Sequence, residues 1–222
     1  MNSVIRIPLT ANAEQHARLL ALQSAFAQVC NAMSPVVQQT RCWNRVALHH
    51  MIYKTLRAQF PALGSQMVCN AIYSVSRTCR LLFQHPASPF NVALLGAKPL
   101  PLLRFTDTCP VYFDRHTLSV KAGQLSMYTL DGRMHFALAL QPEQEAMFHS
   151  MKLQEIVLSR RVEGTFELAF SFVDATPAGV GLSADGPELA LAQAGALEQD
   201  QITPGYVPGM VIPEYVMVEE AV

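Results

Sequence analysis

The residues of this sequence that could do chemistry lie on two consecutive predicted helices in its first half. Cationic, amide and aromatic side chains recur there at helical spacing, and no Asp or Glu occurs between Thr40 and Thr106. Arg and Lys contact phosphates, Gln and Asn pair with base edges, and Tyr and Trp stack on unpaired bases. A solvated helix face normally mixes acids with its bases. The pattern favours nucleic acid, and the alternatives are a solvated basic surface or a face covered by another polyanion, such as the chain's own acidic C-terminus.

The two helices are predicted to sort their residues onto opposite faces. On the second helix of the chain the apolar side holds Leu48, Met51, Ile52 and Leu56, and on the third it holds Val68, Ala71, Ile72, Val75, Cys79 and Leu82. The opposite sides and the basic residues that flank them are the candidate nucleic-acid-binding residues. They are Arg41, Trp43, Arg45, Tyr53, Lys54, Arg57, Gln66, Asn70, Tyr73, Arg77, Arg80 and Lys98.

Charge is segregated along the chain although the net charge is only −1. Residues 1–106 hold ten Lys and Arg but one acid, Glu14, which gives +9. Residues 107–161 are neutral, and residues 162–222 hold ten acids and no base, which gives −10. Such asymmetry points to nucleic acid at the basic end and an interaction tail at the acidic end.

No residue is nominated as a catalyst, and neither a metal nor a cofactor is expected. The five cysteines form no Cys-x-x-Cys pair and are interpreted as reduced thiols. His49 and His50 diverge by about 100° on a helix, so joint metal ligation is not expected. Gly-x-Ser-x-Gly, His-Glu-x-x-His and Walker patterns do not occur.

A strand and three helices are predicted to position these residues. Residues 4–9 read as a strand, and a helix from residue 12 is expected to end at Ser34-Pro35. Thr40 is expected to cap a helix that runs to about residue 60, and Ser65 one that runs to about residue 84. A proline-rich extended connection is predicted over residues 86–110.

The second half is predicted to be β structure, closed into a small antiparallel barrel and followed by an acidic tail. Asp131-Gly132 and Glu163-Gly164 are hairpin turn signals. The tail, residues 176–222, is rich in Pro and Gly and is expected to be partly flexible. Strands are predicted at residues 111–113, 117–121, 124–130, 133–141, 152–161 and 165–173.

We expect the protein to be cytoplasmic, with no membrane partner. Residues 1–6 do not resemble a signal peptide, and no apolar run approaches the roughly 18 residues of a membrane span. The fold class that these features predict is α+β.

The order of these elements, together with several sequence strings, resembles TnpB-type transposon-encoded proteins, the RNA-guided nucleases related to type V CRISPR effectors. The strings are LHHMIYKTLRAQFPALGSQ at residues 48–66, AIYSV at 71–75, RFT at 104–106 and GTFELAFSFV at 164–173. The resemblance covers roughly residues 3–175. It implies a wedge-like barrel formed by residues 1–9 and 108–175, with a helical recognition domain, residues 10–107, inserted between them.

What the resemblance implies about function is a grip on a guide RNA and on the short duplex motif beside the target DNA. It places Ser65, Gln66, Cys69, Asn70 and Tyr73 near that duplex, and it adds Arg104 and Thr106 to the candidate residues. In the family a RuvC nuclease follows the barrel, and its first strand carries a metal-ligating Asp. This chain has Ser183 at that place and only residues 184–222 after it, so we expect no cleavage by this polypeptide.

Two functional hypotheses follow, and a third interpretation is an α+β domain with an unrelated function. The first is a non-catalytic, guide-RNA-associated DNA-binding protein, a subunit whose nuclease is absent or separately encoded. The second is an adaptor or inhibitor whose acidic C-terminus occupies the basic nucleic-acid channel of a partner.

Overall fold

The protein is an α+β molecule with antiparallel sheets, as predicted. The computed structural model describes residues 2–121, 123–173 and 212–219. In chain order its elements are β1 (Asn2–Pro8), α1 (Ala13–Thr40), α2 (Arg45–Gln59), α3 (Ser65–Gln84), α4 (Val92–Leu95), β2 (Leu102–Phe105), β3 (Val111–Phe113), β4 (Leu118–Lys121), β5 (Gln124–Thr129), β6 (Gly132–Ala137), α5 (Pro142–Ser150), β7 (Lys152–Arg160), β8 (Phe166–Val173) and β9 (Val216–Glu219).

The strands of the described residues form three separate antiparallel sheets, and none of them closes into a barrel. The largest has the order β1-β8-β7-β3, a second has the order β4-β5-β6, and β2 pairs with β9. The predicted barrel is therefore wrong. Closure requires every edge strand to pair, but β3 is only three residues long, and α5, which the sequence did not predict, separates β6 from β7.

The first strand of the chain, β1, pairs with β8, although most of the chain lies between them in sequence. The register of β1 on β8 runs from Asn2 opposite Val173 to Pro8 opposite Glu167. The three long helices, with α4, β2 to β6, α5 and β7, therefore lie in sequence between two strands that are neighbours in the sheet. Pro8 is tolerated because β1 lies at the edge of the sheet.

The first helix does not end at Ser34-Pro35, as predicted, but continues to Thr40. Proline lacks the N–H that would bond the carbonyl four residues earlier. The buried side chains of Met33 and Val37 lie on either side of it in the sequence, so packing holds the helix together across the break. The helix ends at Arg41, whose backbone is left-handed (φ 51°) and whose N–H donates to the Val37 carbonyl.

The second and third helices are close to the prediction. Asn44 rather than Thr40 caps α2, because its Oδ1 accepts from the Val46 and Ala47 N–H groups at 3.0 and 3.1 Å. Met51, predicted on the inner face, is 46% exposed. α3 ends at Gln84, as predicted, but Ser65 is its first residue and not its cap, because Gly64 is the N-cap and no side chain caps the helix. The six residues predicted for its inner face are all buried.

Three elements occur where the sequence predicted extended or flexible chain. The proline-rich connection contains α4 and β2, and residues 212–219 of the predicted tail include β9, which pairs with β2. The rest of the tail, with Ser183, lies outside the described residues. Among the helices described, none is both long and apolar enough to cross a membrane.

Candidate nucleic-acid interface

The outer surface of α2 is cationic and has no acid. His50, Met51 and Lys54 are exposed along it, and neither Asp nor Glu occurs between Arg45 and Gln59. Lys54 has no carboxylate within ion-pair distance among the described residues. Its charge is therefore available to an external anion.

A stripe of four side chains borders this surface on the flank of α2 that meets α3. Arg45, His49, Tyr53 and Arg57 are spaced four residues apart, which puts them on one side of the helix, and each is half-buried. The Arg45 guanidinium lies 5.1 Å from the ring centroid of Tyr73 on α3. The His49 and Tyr53 rings are stacked with centroids 4.5 Å apart. We call these four residues the α2 stripe.

The guanidinium groups of the α2 stripe also act on a half-buried thiol of α3. Burial raises the pKa of Cys69, Arg45 and Arg57 both lower it, and Asp114 raises it. Burial, followed by His50 and Arg45, lowers the pKa of His49. The two arginines therefore concentrate positive charge at the junction of α2 and α3, and His49 is mainly neutral at neutral pH.

Arg57 and Arg45 differ in how firmly the fold holds them. The Arg57 guanidinium donates to the Leu63 carbonyl in the turn between α2 and α3. For Arg45 the contact found among the described residues is with the ring face of Tyr73, which does not use its hydrogen-bond donors. Neither residue has a carboxylate partner among the described residues.

The polar side of α3 faces the strands of the large sheet rather than solvent. Asn70 is 5% exposed and its amide donates to the Tyr112 carbonyl at 3.1 Å. Gln66 donates to the Asp114 carboxylate at 2.5 Å. The expectation that these side chains point away from the fold is therefore wrong, because β3 and its following turn cover them.

Tyr73 and Arg77 meet the same strands through one carboxylate. The Tyr73 hydroxyl donates to Glu155 on β7 at 2.8 Å, and Arg77 donates to Glu155 and to the Tyr73 oxygen, both at 3.1 Å. Burial lowers the pKa of Arg77, but Tyr112, Glu155 and Tyr73 outweigh burial and the net shift is upward. The acids that the helical segment lacks in sequence are thus supplied by distant strands.

Several other predicted residues hold the structure together at the edge of the helices. Arg41 donates to the carbonyls of Lys98 and Gly96 at 2.8 and 3.0 Å, and the Lys98 side chain is exposed. Trp43 packs against Phe83, with ring centroids 5.4 Å apart. Arg80 is half-buried on α3.

Arg104 and Thr106 lie together beside the C-terminal strand. Arg104 forms an ion pair with Glu219 at 3.2 Å, and Thr106 bonds the Tyr215 carbonyl through its N–H at 3.0 Å. The acidic end of the chain therefore contacts the basic region at this place. Among the described residues, the hydrogen bonds and ion pairs of the Arg104 and Thr106 side chains do not include a residue of the α2 stripe.

The structure thus brings Arg45, Tyr53, Lys54 and Arg57 together with Tyr73 and separates them from Arg104 and Thr106. Sequence reasoning did not assign a role to His49, although its four-residue spacing from Arg45 and Tyr53 was a visible signal. It also missed Asp114 and Glu155, which no local pattern connects to α3. Within the described parts of the chain, no three His, Cys, Asp or Glu side chains are placed to hold a metal ion.

Comparison with known proteins adds no family to this description. No protein-family model matches the sequence. No curated protein matches it either.

Proposed function

We propose that this protein binds nucleic acid without cleaving it, through the exposed surface of α2 and the α2 stripe. The observation that carries the proposal is the cluster of Arg45, Lys54 and Arg57 on an acid-free helix, none with a carboxylate partner among the described residues. Other arginines of the helical segment are already paired by the fold, as Arg77 is with Glu155. A phosphate backbone supplies the missing negative charge.

Each group has a role that its geometry permits. Lys54 is an exposed point charge and contacts phosphate. Arg45, stacked on Tyr73, presents a planar fork of donors beside it and fixes the orientation of the bound strand. The stacked pair of His49 and Tyr53 lies between Arg45 and Arg57 and offers a ring surface to a nucleotide.

The ligand that we propose is a guide RNA with its target duplex, by the resemblance to TnpB-type proteins. Base pairing of the guide would then read the sequence, while this chain grips the backbone. What supports this choice of ligand is the order of a first strand, three long helices and then a series of strands. A separately encoded nuclease would supply any cleavage.

The test is to purify the full chain at low ionic strength and to sequence the nucleic acid that remains with it. We expect a defined RNA that is removed by ribonuclease and by high salt. Lys54→Glu should lose this RNA, whereas Lys152→Glu, a matched change at an exposed lysine on β7, should retain it. A preparation free of RNA that also binds no duplex DNA at low salt would refute the proposal.

The adaptor alternative predicts a different outcome of the same preparation. In that case the purified chain would carry no nucleic acid. Its acidic segment would bind a basic protein partner instead. The described part of that segment contacts Arg104 of its own chain through Glu219, so the adaptor would have to release this ion pair to reach a partner.

A further inference from the structure

The C-terminal segment of the described chain, residues 212–219, lies along β2 as an added strand. Its strand β9 pairs antiparallel with β2, with Leu102 opposite Glu219 and Phe105 opposite Val216. Residues 174–211 separate it from the large sheet in sequence. Among the described strands, β9 pairs only with β2.

The segment fits β2 through side chains as well as through its backbone. Tyr215 and Val216 are buried, and the Tyr215 carbonyl accepts from the Thr106 N–H at 3.0 Å and from its hydroxyl at 3.3 Å. Burial and then Cys109 raise the pKa of Tyr215, whereas a hydrogen bond with Thr78 lowers it. The ring thus occupies a site between α3 and the segment before β3, and Glu219 adds the ion pair with Arg104.

The opposite side of β2 is held by α1, independently of the segment. The Asn31 side chain donates to the Phe105 carbonyl at 2.9 Å and accepts from the Phe105 N–H at 2.7 Å, as a neighbouring strand would. Gln38 donates to the Leu100 carbonyl at 3.0 Å. These bonds hold β2 and the residues just before it to α1, and none of them uses a group of the segment.

The strand pairing that attaches the segment to β2 is short. A two-stranded ladder of four residues is marginal on its own, and Met217 in its middle is 57% exposed. Its side-chain contacts are those of the buried Tyr215 and Val216, of Ile212 and Val218 packed against the core, and of the exposed pair between Glu219 and Arg104. Such an arrangement is typical of peptide recognition by strand addition, where the backbone gives affinity and alternate side chains give selectivity.

We propose that β2 and the Tyr215 site form a strand-acceptor site for an extended acidic peptide. Its resident ligand is the chain's own segment 212–219, which leaves and rebinds while the rest of the fold persists. The proposal rests on contacts that do not involve α2, so it is independent of the proposed function.

The test uses the full chain with a protease recognition sequence inserted between Ala190 and Leu191, cut after folding. A fluorescein-labelled peptide of residues 209–222 is then added and its anisotropy is measured. We expect saturable binding to the cut protein, displaced by unlabelled peptide. The uncut protein should bind the probe at least ~100-fold more weakly, because its tethered segment competes at an effective concentration in the millimolar range.

Two peptide variants separate recognition from adhesion. Tyr215→Ala should weaken binding at least ~10-fold, because it empties the buried site, whereas Met217→Ala should bind like the parent, because that side chain is exposed. Circular dichroism of the cut protein checks that the fold persists. The proposal is overturned if the folded, cut protein does not bind or exchange the peptide, if cut and uncut proteins bind it equally, or if the two variants are equivalent.

Discussion

Glu167 is a carboxylate in the interior of the large sheet, and two arginines neutralise it. Its side chain is 5% exposed and pairs with Arg6 at 3.3 Å and with Arg161, whose side chains are 42% and 48% exposed. Arg6 reaches it from β1 and Arg161 from the turn before β8. A buried charge left without a partner costs far more than an exposed one.

This asymmetry gives the first prediction. Removing both partners, Arg6→Ala with Arg161→Ala, should lower the free energy of unfolding by about 3 kcal/mol, because Glu167 stays buried and unpaired. Glu167→Gln should cost less, about 1 kcal/mol, because the arginines can be solvated. Urea denaturation measures both. Adding Glu167→Gln to the double variant should restore stability, and a triple variant less stable than the double would contradict this account.

His49 gives a prediction about pH. Burial, His50 and Arg45 lower its pKa in the folded state, so the unfolded chain takes up the proton more readily than the folded chain. The stability that depends on a neutral His49 is therefore fully present at neutral pH. It is lost as the pH drops below the usual histidine pKa of about 6.5. The urea concentration at the unfolding midpoint should decrease less between pH 7.5 and pH 5 in His49→Gln than in the parent chain. His149→Gln, at an exposed site on α5, is the control, and equal losses in both variants would exclude His49 as the cause.

At the scale of elements, α1 contains a proline that its packing tolerates. Pro35 has no N–H to donate to the Asn31 carbonyl, yet the helix runs on to Thr40. Pro35→Ala should restore that bond and raise the free energy of unfolding by about 1 kcal/mol, after allowance for the looser unfolded chain. The control is Pro142→Ala at the start of α5, where a missing N–H is harmless. An unchanged or lower stability of Pro35→Ala would show that the helix needs the proline.

Elements with a strong local signal were predictable, whereas those fixed by tertiary contacts were not. The hairpin between β5 and β6 and the extent of α3 follow from turn chemistry and helical periodicity to within one residue, since the hairpin loop is Leu130-Asp131 rather than Asp131-Gly132. β2 has four residues between prolines, and only Asn31 on one side and β9 on the other make it a strand. The length of α1 likewise depends on packing that outweighs the proline signal.

At the scale of the whole molecule, the fold distributes charge in a way that sequence segments conceal. Acids from other parts of the chain partly neutralise the basic half: Glu155 pairs with Arg77, and Glu219 pairs with Arg104. No local pattern could reveal these pairs, because 78 and 115 residues separate their members. The candidate site is therefore smaller than the sequence suggested, and it is centred on α2.

The salt dependence of duplex DNA binding tests this account most directly. Each phosphate contact contributes about 0.9 to the slope of log affinity against log salt concentration. Lys54→Gln should therefore reduce the slope by about 0.9 relative to the parent chain, while Lys152→Gln should leave it unchanged. Binding that does not respond to salt, or an equal change in both variants, would contradict a phosphate contact on α2.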